Sequence, residues 1–82
     1  MYTVEISPPA WNQIAQLSLE TYRRIREELE AVAQLLDTVK VPGHPPSTSS
    51  VVIDDVMAVY EVDHKRRRVL LIEVARRLPR DG

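Results

Sequence analysis

The sequence of 82 residues has no cysteine, only two glycines and only two histidines. Without cysteine there are no disulfides, which fits a reducing compartment, and we expect a cytoplasmic protein. Apolar runs such as Val69 to Ile72 are far shorter than a membrane span of about 20 residues. The first residues show no basic segment followed by a long apolar stretch, so we expect neither a signal peptide nor a membrane partner.

These shortages also exclude several kinds of chemistry. His44 and His64 are too few for a zinc site, which needs three or four ligands at ordered spacing. Gly43 and Gly82 cannot build a glycine-rich phosphate loop. The serines stand in no motif that would activate a nucleophile. We therefore expect no metal and no cofactor.

What the sequence does contain is typical of one small globular domain spanning residues 1–82. Apolar residues make up 44% and charged residues 28% of the chain, with a net charge of −1. The charges are unevenly placed, because residues 63–82 hold seven basic and three acidic residues. Nucleic acid is therefore not excluded as a partner by the net charge.

The N-terminal half predicts a strand followed by two helices. Tyr2, Val4 and Ile6 alternate with polar residues, as in a half-buried strand. Ser7 before two prolines predicts the start of a helix. The apolar stripe that follows runs to residue 36 and would give a helix about 42 Å long, in a globule only about 30 Å across. We therefore predict a break at residues 17–19, with Ser18 capping the second helix.

The C-terminal half predicts a loop and three strands. Residues 37–50 are rich in proline and serine and predict a flexible loop. Residues 51–53, 56–62 and 67–75 predict strands joined by short turns. The result is an α+β fold of order β-α-α-β-β-β, with two N-terminal helices packed on one face of a small antiparallel sheet.

Strand alternation in the last segment predicts its two faces. Leu70, Ile72 and Val74 should lie under the helices, which leaves Arg67 and Arg77 on the open face. Arginine groups of this kind bind phosphates, and the alternative is that they are solvated charges that protect the sheet edges. We also predict Trp11 to be a core residue, because it belongs to the apolar helical stripe.

Two C-terminal segments contain recognisable motifs, since residues 55–63 read DVMAVYEVD and residues 69–77 read VLLIEVARR. They resemble two strands of the RelE/ParE superfamily of toxins from bacterial type II toxin–antitoxin modules, the strand D-Y-R-V-I-Y-E-V-D and the last strand, which ends in V-x-H/K-R. The start of the chain, YTVEISPPA, resembles the family's first strand and helix. The resemblance implies the RelE-like fold.

For the ribosome-dependent branch, the resemblance implies an endoribonuclease that cuts mRNA by attack of a ribose 2′-OH on the adjacent phosphate. Arg77 matches the arginine at the end of the last strand and is the candidate catalytic residue. The candidate phosphate- or RNA-binding residues are Lys40, Arg67, Arg76 and Arg80. Met57 and Val56 replace the family's arginine and tyrosine, and no tyrosine follows Arg77. We therefore expect the mRNA-cleaving activity to be weakened or lost.

The resemblance further implies a cognate antitoxin protein, which we expect in an apolar groove near Trp11, Tyr22 or Ile25. The target would be the ribosome with its mRNA, or DNA gyrase in the ParE branch. Two alternatives from other classes are a non-enzymatic homodimeric interaction module and general RNA binding through the basic C-terminal quarter.

Overall fold

The computed structural model describes residues 1–38 and 47–76. The elements follow the predicted order, which confirms the α+β class: β1 (Thr3–Ile6), α1 (Pro8–Ile14), α2 (Leu19–Thr38), β2 (Ser47–Ile53), β3 (Val56–Asp63) and β4 (Arg68–Arg76). Within these two ranges, no helix is both long enough and apolar enough to span a membrane.

The two helices are separated where the sequence predicts the break. Ser7 caps α1, since its Oγ accepts a hydrogen bond from the Ala10 N–H at 3.4 Å, and Pro8 lies in the first turn. Ser18 caps α2 in the same way, accepting from the Thr21 N–H at 3.1 Å. Each cap satisfies a backbone donor that has no partner inside its helix. The long apolar stripe therefore becomes two helices.

The four strands form one sheet in the order β1-β4-β3-β2. The pairs β2–β3 and β3–β4 are antiparallel, whereas β1 runs parallel to β4. The sheet is therefore mixed and not purely antiparallel as expected. A parallel pair needs a long connection between its strands, and here both helices and the β2–β3 hairpin lie between β1 and β4.

The predicted loop at residues 37–50 is wrong at both ends. Asp37 still belongs to α2, where its Oδ1 accepts a hydrogen bond from the Tyr2 N–H at 2.8 Å. At the other end Ser47–Ser50 are the first half of β2 and pair with residues 59–62 of β3. Pairing along β3 outweighs the weak strand preference of serine, which depends on context. Residues 39–46 lie outside the described ranges.

A β-bulge interrupts the pairing of β3 with β4. Tyr60 lies opposite Leu71, but the preceding residue Val59 lies opposite Glu73. Ile72 is the extra residue on β4 and has no partner in the register. A bulge of this kind lets the side chains beyond it change faces relative to simple alternation.

The bulge corrects the predicted faces of β4. Val69, Leu71 and Val74 are the residues buried under the helices, each no more than 5% exposed. Of the predicted set Leu70, Ile72 and Val74, only Val74 is therefore right. The prediction was wrong for the other two because it assumed unbroken alternation along the strand.

The core lies between the helices and this inner face of the sheet. In α2 the buried residues Ile25, Leu29 and Ala33 recur every four positions, as one helix face requires. They pack in one cluster with Val56 and Leu71 of the sheet. The core thus covers a single face, because both helices lie on the same side.

Side chains of α1 and of its capping residue Ser7 hold the bulge in place. The Ser7 hydroxyl donates a hydrogen bond to the Ile72 carbonyl at 3.0 Å. The Gln13 side-chain carbonyl oxygen Oε1 accepts one from the Val74 N–H at 2.6 Å. Backbone groups that a bulge leaves without ladder partners need such substitutes.

Replacing Gln13 by alanine is expected to lower the free energy of unfolding by about 1–2 kcal/mol, because the Val74 N–H loses its acceptor. Urea denaturation followed by circular dichroism measures the change. Gln16→Ala is the control with the same residue type, since Gln16 is exposed in the turn that follows α1. Equal effects of the two substitutions would contradict the role of Gln13.

Candidate functional site: the open face of the sheet

The sheet face turned away from the helices, called the open face here, is covered by no helix or strand of residues 1–38 and 47–76. Its side chains alternate with the core residues along each strand. The register places the following residues on it: Thr3, Glu5, Thr48, Ser50, Val52, Met57, Val59, Glu61, Asp63, Arg68, Leu70, Glu73 and Ala75. Ile72, which the bulge leaves without a partner, is assigned to the same face because it is half-buried and lies outside the core cluster.

Four of these side chains form an apolar stripe, defined by Met57, Val59, Leu70 and Ile72. Each is half-buried by its neighbours, and none belongs to the cluster that packs under the helices. Val52 lies opposite Met57 on β2 and is 49% exposed, so it extends the stripe toward the edge. Adjoining apolar side chains with a polar rim mark a binding surface.

Carboxylates flank the apolar stripe. Glu5 and Glu61 lie on either side of Leu70 in the register, and Glu73 lies opposite Val59. Asp63 lies opposite Arg68 and adds a fourth carboxylate, and among the described residues of the open face Arg68 is the one cation. The open face is therefore net negative, which disfavours the approach of a phosphate backbone.

At one end of the open face, β3 begins and β4 ends. Met57 lies opposite Ala75 there. Arg76 is the next residue and therefore belongs to the other face, where its Nε lies 3.8 Å from Asp55 Oδ2. Both side chains are well exposed, so this ion pair contributes little to stability. Arg76 was predicted to bind phosphate, but it lies on the opposite face of the sheet from Met57.

At the opposite end, Arg67 lies in the β3–β4 turn with φ of 51° and is not the first residue of β4 as predicted. The turn intervenes because Asp63 pairs with Arg68 and closes the hairpin there. Arg67 and Arg76 stand at the two ends of β4, about 30 Å apart at 3.3 Å per residue. They do not form one site.

The remaining predicted site residues, Lys40, Arg77 and Arg80, lie outside the described ranges. Arg77 directly follows Arg76, the last residue of β4. Their assignment as catalytic or phosphate-binding residues stays a prediction.

Solved structures match this chain over nearly its whole length. The isolated Escherichia coli RelE toxin superposes with a TM-score of 0.71 at 17% identity, covering 99% of this chain and 89% of that one. RelE of an archaeal RelE–RelB complex from Pyrococcus horikoshii gives 0.70 at 18% identity, covering 93% and 94%. The fold is that of RelE toxins. The E. coli RelBE toxin–antitoxin complex gives 0.67 at 18% identity, covering 98% and 100%. No protein-family model matches the sequence, and no curated protein matches it significantly.

On the helix side of this RelE fold, the predicted groove near Trp11, Tyr22 or Ile25 is wrong for Ile25, which is buried at 1% exposure. Trp11 was predicted to be a core residue and is instead 49% exposed. The short helix α1 buries only Ala10 and Ile14. Trp11 is not one of them, and its ring lies against Tyr22 of α2 instead, with 6.1 Å between the ring centroids.

Arg26 on α2 is held in an exposed network of side chains. The Tyr22 hydroxyl, together with Glu30, holds the pKa of the Arg26 guanidinium above its usual range. This network is solvent-exposed on α2. Residues 1–38 and 47–76 contain no group of three or more His, Asp or Glu side chains placed to hold a metal ion.

Sequence reasoning did not identify the apolar stripe as a binding surface. The available signal was the composition of β3, which is apolar on both faces. Val56 and Ala58 lie on one face, and Met57 and Val59 lie on the other. A strand that is apolar on both faces needs cover on both, and the sequence predicts helices for one face only.

Proposed function

We propose that this chain is the toxin-like component of a bacterial type II toxin–antitoxin pair, and that its antitoxin binds across the open face. The observation that carries the proposal is the apolar stripe on a RelE fold, which no helix or strand within the described residues covers. The similarity to RelE chains solved as complexes with RelB supports a protein partner of that kind. The pair would act in the cytoplasm.

The open face favours a particular chemistry in the antitoxin. Apolar side chains of the bound segment would cover Met57, Val59 and Leu70, which removes apolar area from water. Lysine or arginine side chains at its margins would meet Glu5 and Glu61, because charges across an interface are complementary. An amphipathic segment with basic residues meets both requirements.

Complex formation tests this proposal. The chain should co-purify with the protein encoded by the neighbouring reading frame and elute with it as one species in size-exclusion chromatography with light scattering. Failure of that protein to bind, or the absence of a neighbouring antitoxin-like frame, would count against the pair.

We further propose that mRNA cleavage by this chain is weak or absent. Attack of a ribose 2′-OH on the adjacent phosphate needs a group that accepts the hydroxyl proton and cations that stabilise the developing negative charge. Met57 supplies no cation at the start of β3, and Arg76 is paired with Asp55. Glu61 and Glu73 add negative charge to the same face.

Expression of the chain alone in bacteria is expected to produce few or no new mRNA 5′ ends, because Met57 supplies no cation at the start of β3 and Arg76 is paired with Asp55. Sequencing of RNA 5′ ends after induction measures this, with E. coli RelE as the positive control. Any ends that do appear should disappear in Arg77→Ala. Cleavage as extensive as that by RelE, or cleavage unaffected by Arg77→Ala, would contradict the assignment.

Two alternative functions are separated by further measurements. Plasmid supercoiling in the same induced cells reports inhibition of DNA gyrase, the ParE-type activity. The apolar stripe also offers a surface for homodimerisation, but a symmetric contact through the open face would bring the carboxylates Glu5, Glu61 and Glu73 of two copies together. Light scattering of the purified chain distinguishes a dimer from a monomer.

A further inference from the structure

The β-bulge of β4 gives the open face two consecutive side chains. Val59 of β3 lies opposite Glu73, and Ile72 is the extra residue that precedes it. Without a bulge, consecutive residues would point to opposite faces of the sheet. We propose that this pair determines which antitoxin the open face accepts, because the bound segment must present an apolar side chain to Ile72 and a neighbouring lysine or arginine to Glu73. The inference rests on the proposed function and names the partner chemistry at one position of that surface.

The bulge begins where β1 ends. The parallel pairing of β1 with β4 stops at Ile6 and Leu71, so β1 offers no residue to the next part of β4. Ser7 provides the hydrogen bonds there instead. Its N–H donates to the Leu71 carbonyl at 2.9 Å, and its hydroxyl donates to the Ile72 carbonyl at 3.0 Å. The backbone before Glu73 is therefore held by the residue that also caps α1.

The backbone after Glu73 is held in the same way. Gln13 of α1 accepts a hydrogen bond from the Val74 N–H at 2.6 Å through its side-chain oxygen Oε1. With contacts on both sides, the pair on the open face has a fixed backbone before any partner arrives. A surface that is already ordered loses less entropy when it binds.

The carboxylate of Glu73 lies among apolar side chains and has no cation of its own. Glu73 is exposed, and its neighbours on the face are Ile72 and Val59. Within residues 1–38 and 47–76, it takes part in no ion pair and no side-chain hydrogen bond. In the free chain, water solvates this charge.

A segment that covers the apolar stripe also removes water from Glu73. An unpaired carboxylate that loses its water is strongly unfavourable, whereas one that is paired with a hydrogen-bonded cation is tolerated. A wholly apolar segment is therefore rejected, and a segment with a cation at this position is accepted. The carboxylate thus acts in selection chiefly by excluding wrong partners.

Charge reversal tests the role of Glu73. Glu73→Lys should weaken binding of the protein encoded by the neighbouring reading frame at least about thirtyfold in titration calorimetry, because two cations then face each other. Glu28→Lys is the matched control, since Glu28 is an exposed carboxylate of α2 and the change in net charge is the same. Its affinity should stay within about twofold. Equal losses in the two variants would reduce the effect to overall charge and overturn the proposal.

Deletion of Ile72 tests the bulge itself. The deletion restores regular alternation, so Glu73 remains opposite Val59 and Val74 remains on the inner face. The carboxylate is kept while its apolar neighbour is lost, and affinity should fall at least about tenfold. Ile72→Ser keeps the chain length, serves if the deletion variant does not fold, and should show a similar loss. A folded variant of either kind that binds as tightly as the unaltered chain would overturn the proposal.

Gln13 tests whether the helix layer positions the pair. Gln13→Ala should weaken binding about threefold, and Gln13→Glu should restore it to within about twofold, because a carboxylate oxygen can accept from the same Val74 N–H. Hydrogen exchange of the Val74 amide should be faster in Gln13→Ala and slow again in Gln13→Glu. Equal affinities of the alanine variant and the unaltered chain would contradict positioning by α1.

A reversed partner identifies the facing cation. Each lysine or arginine of the antitoxin is replaced in turn by glutamate, and one of these variants should recover at least about tenfold of the affinity that Glu73→Lys loses. If the unaltered chain binds no antitoxin, the proposed function and this inference both fail. If it binds, and Leu70→Arg weakens binding but neither Glu73→Lys nor the deletion does, the inference about the bulge fails alone.

Discussion

Truncation of Leu71 to alanine is expected to lower the free energy of unfolding by about 3 kcal/mol. Leu71 is fully buried on the inner face of β4 and belongs to the core cluster with Ile25 and Leu29. A large cavity in a chain of 82 residues removes a large part of a stability that is about 5–15 kcal/mol in small domains. Urea denaturation and the thermal midpoint, which should fall by more than about 10 °C, measure the loss.

Leu70→Ala is the matched control for this experiment. The residue type and the strand are the same, but Leu70 lies on the open face and is only half-buried. Its truncation should cost about 1 kcal/mol or less. If Leu70→Ala proved the more damaging of the two, the bulge at Ile72 and the assignment of the two faces would both be wrong.

Leu70→Arg is expected to weaken the complex with the antitoxin by about thirtyfold or more, as the loss of a central apolar anchor does. Leu70 lies between Glu5 and Glu61 in the register. The new guanidinium therefore finds carboxylates on both sides and leaves the fold intact. It removes the apolar contact and at the same time opposes the basic residues of the bound segment.

Titration calorimetry of the purified chain with the purified antitoxin measures this loss. Leu35→Arg is the control, since it is the same substitution at a residue of α2 that is 63% exposed. Its affinity should stay within about twofold of the unaltered chain. If Leu35→Arg weakened the complex and Leu70→Arg did not, the antitoxin would bind on the helix side and the proposed surface would be wrong.

Local signals predicted the helices because each one has a physical cause that acts over a few residues. Ser7 and Ser18 satisfy backbone donors in the first turn of the helix that follows each of them. Tyr2, Val4 and Ile6 alternate in burial with their neighbours as a strand with one inner face must. These features need no knowledge of distant residues.

The errors concern features that depend on distant partners. The bulge at Ile72 is invisible in the run Val69 to Ile72, because four apolar residues in succession fit either face. Ser47–Ser50 form a strand because they pair with residues 59–62 of β3, which come later in the chain. Trp11 is exposed because the short α1 presents only two residues to the core.

The candidate site was predictable only in part, because its charges separate in space. The basic character of residues 63–82 predicted a phosphate-binding surface, but Arg67 and Arg76 lie at opposite ends of β4. The open face between them carries carboxylates that the sequence spreads over three strands, Glu5, Glu61 and Glu73. Only the sheet register brings these three together.

Cysteine labelling tests most directly whether the antitoxin covers the open face. The chain has no native cysteine, so a single thiol reports one position. Ser50 and Ser49 are neighbouring exposed residues of β2 that point to opposite faces, Ser50 to the open face. In the complex, maleimide should label Ser50→Cys at least about tenfold more slowly than in the free chain, while Ser49→Cys should be almost unaffected. Protection of Ser49→Cys alone, or of neither thiol, would contradict antitoxin binding at the open face.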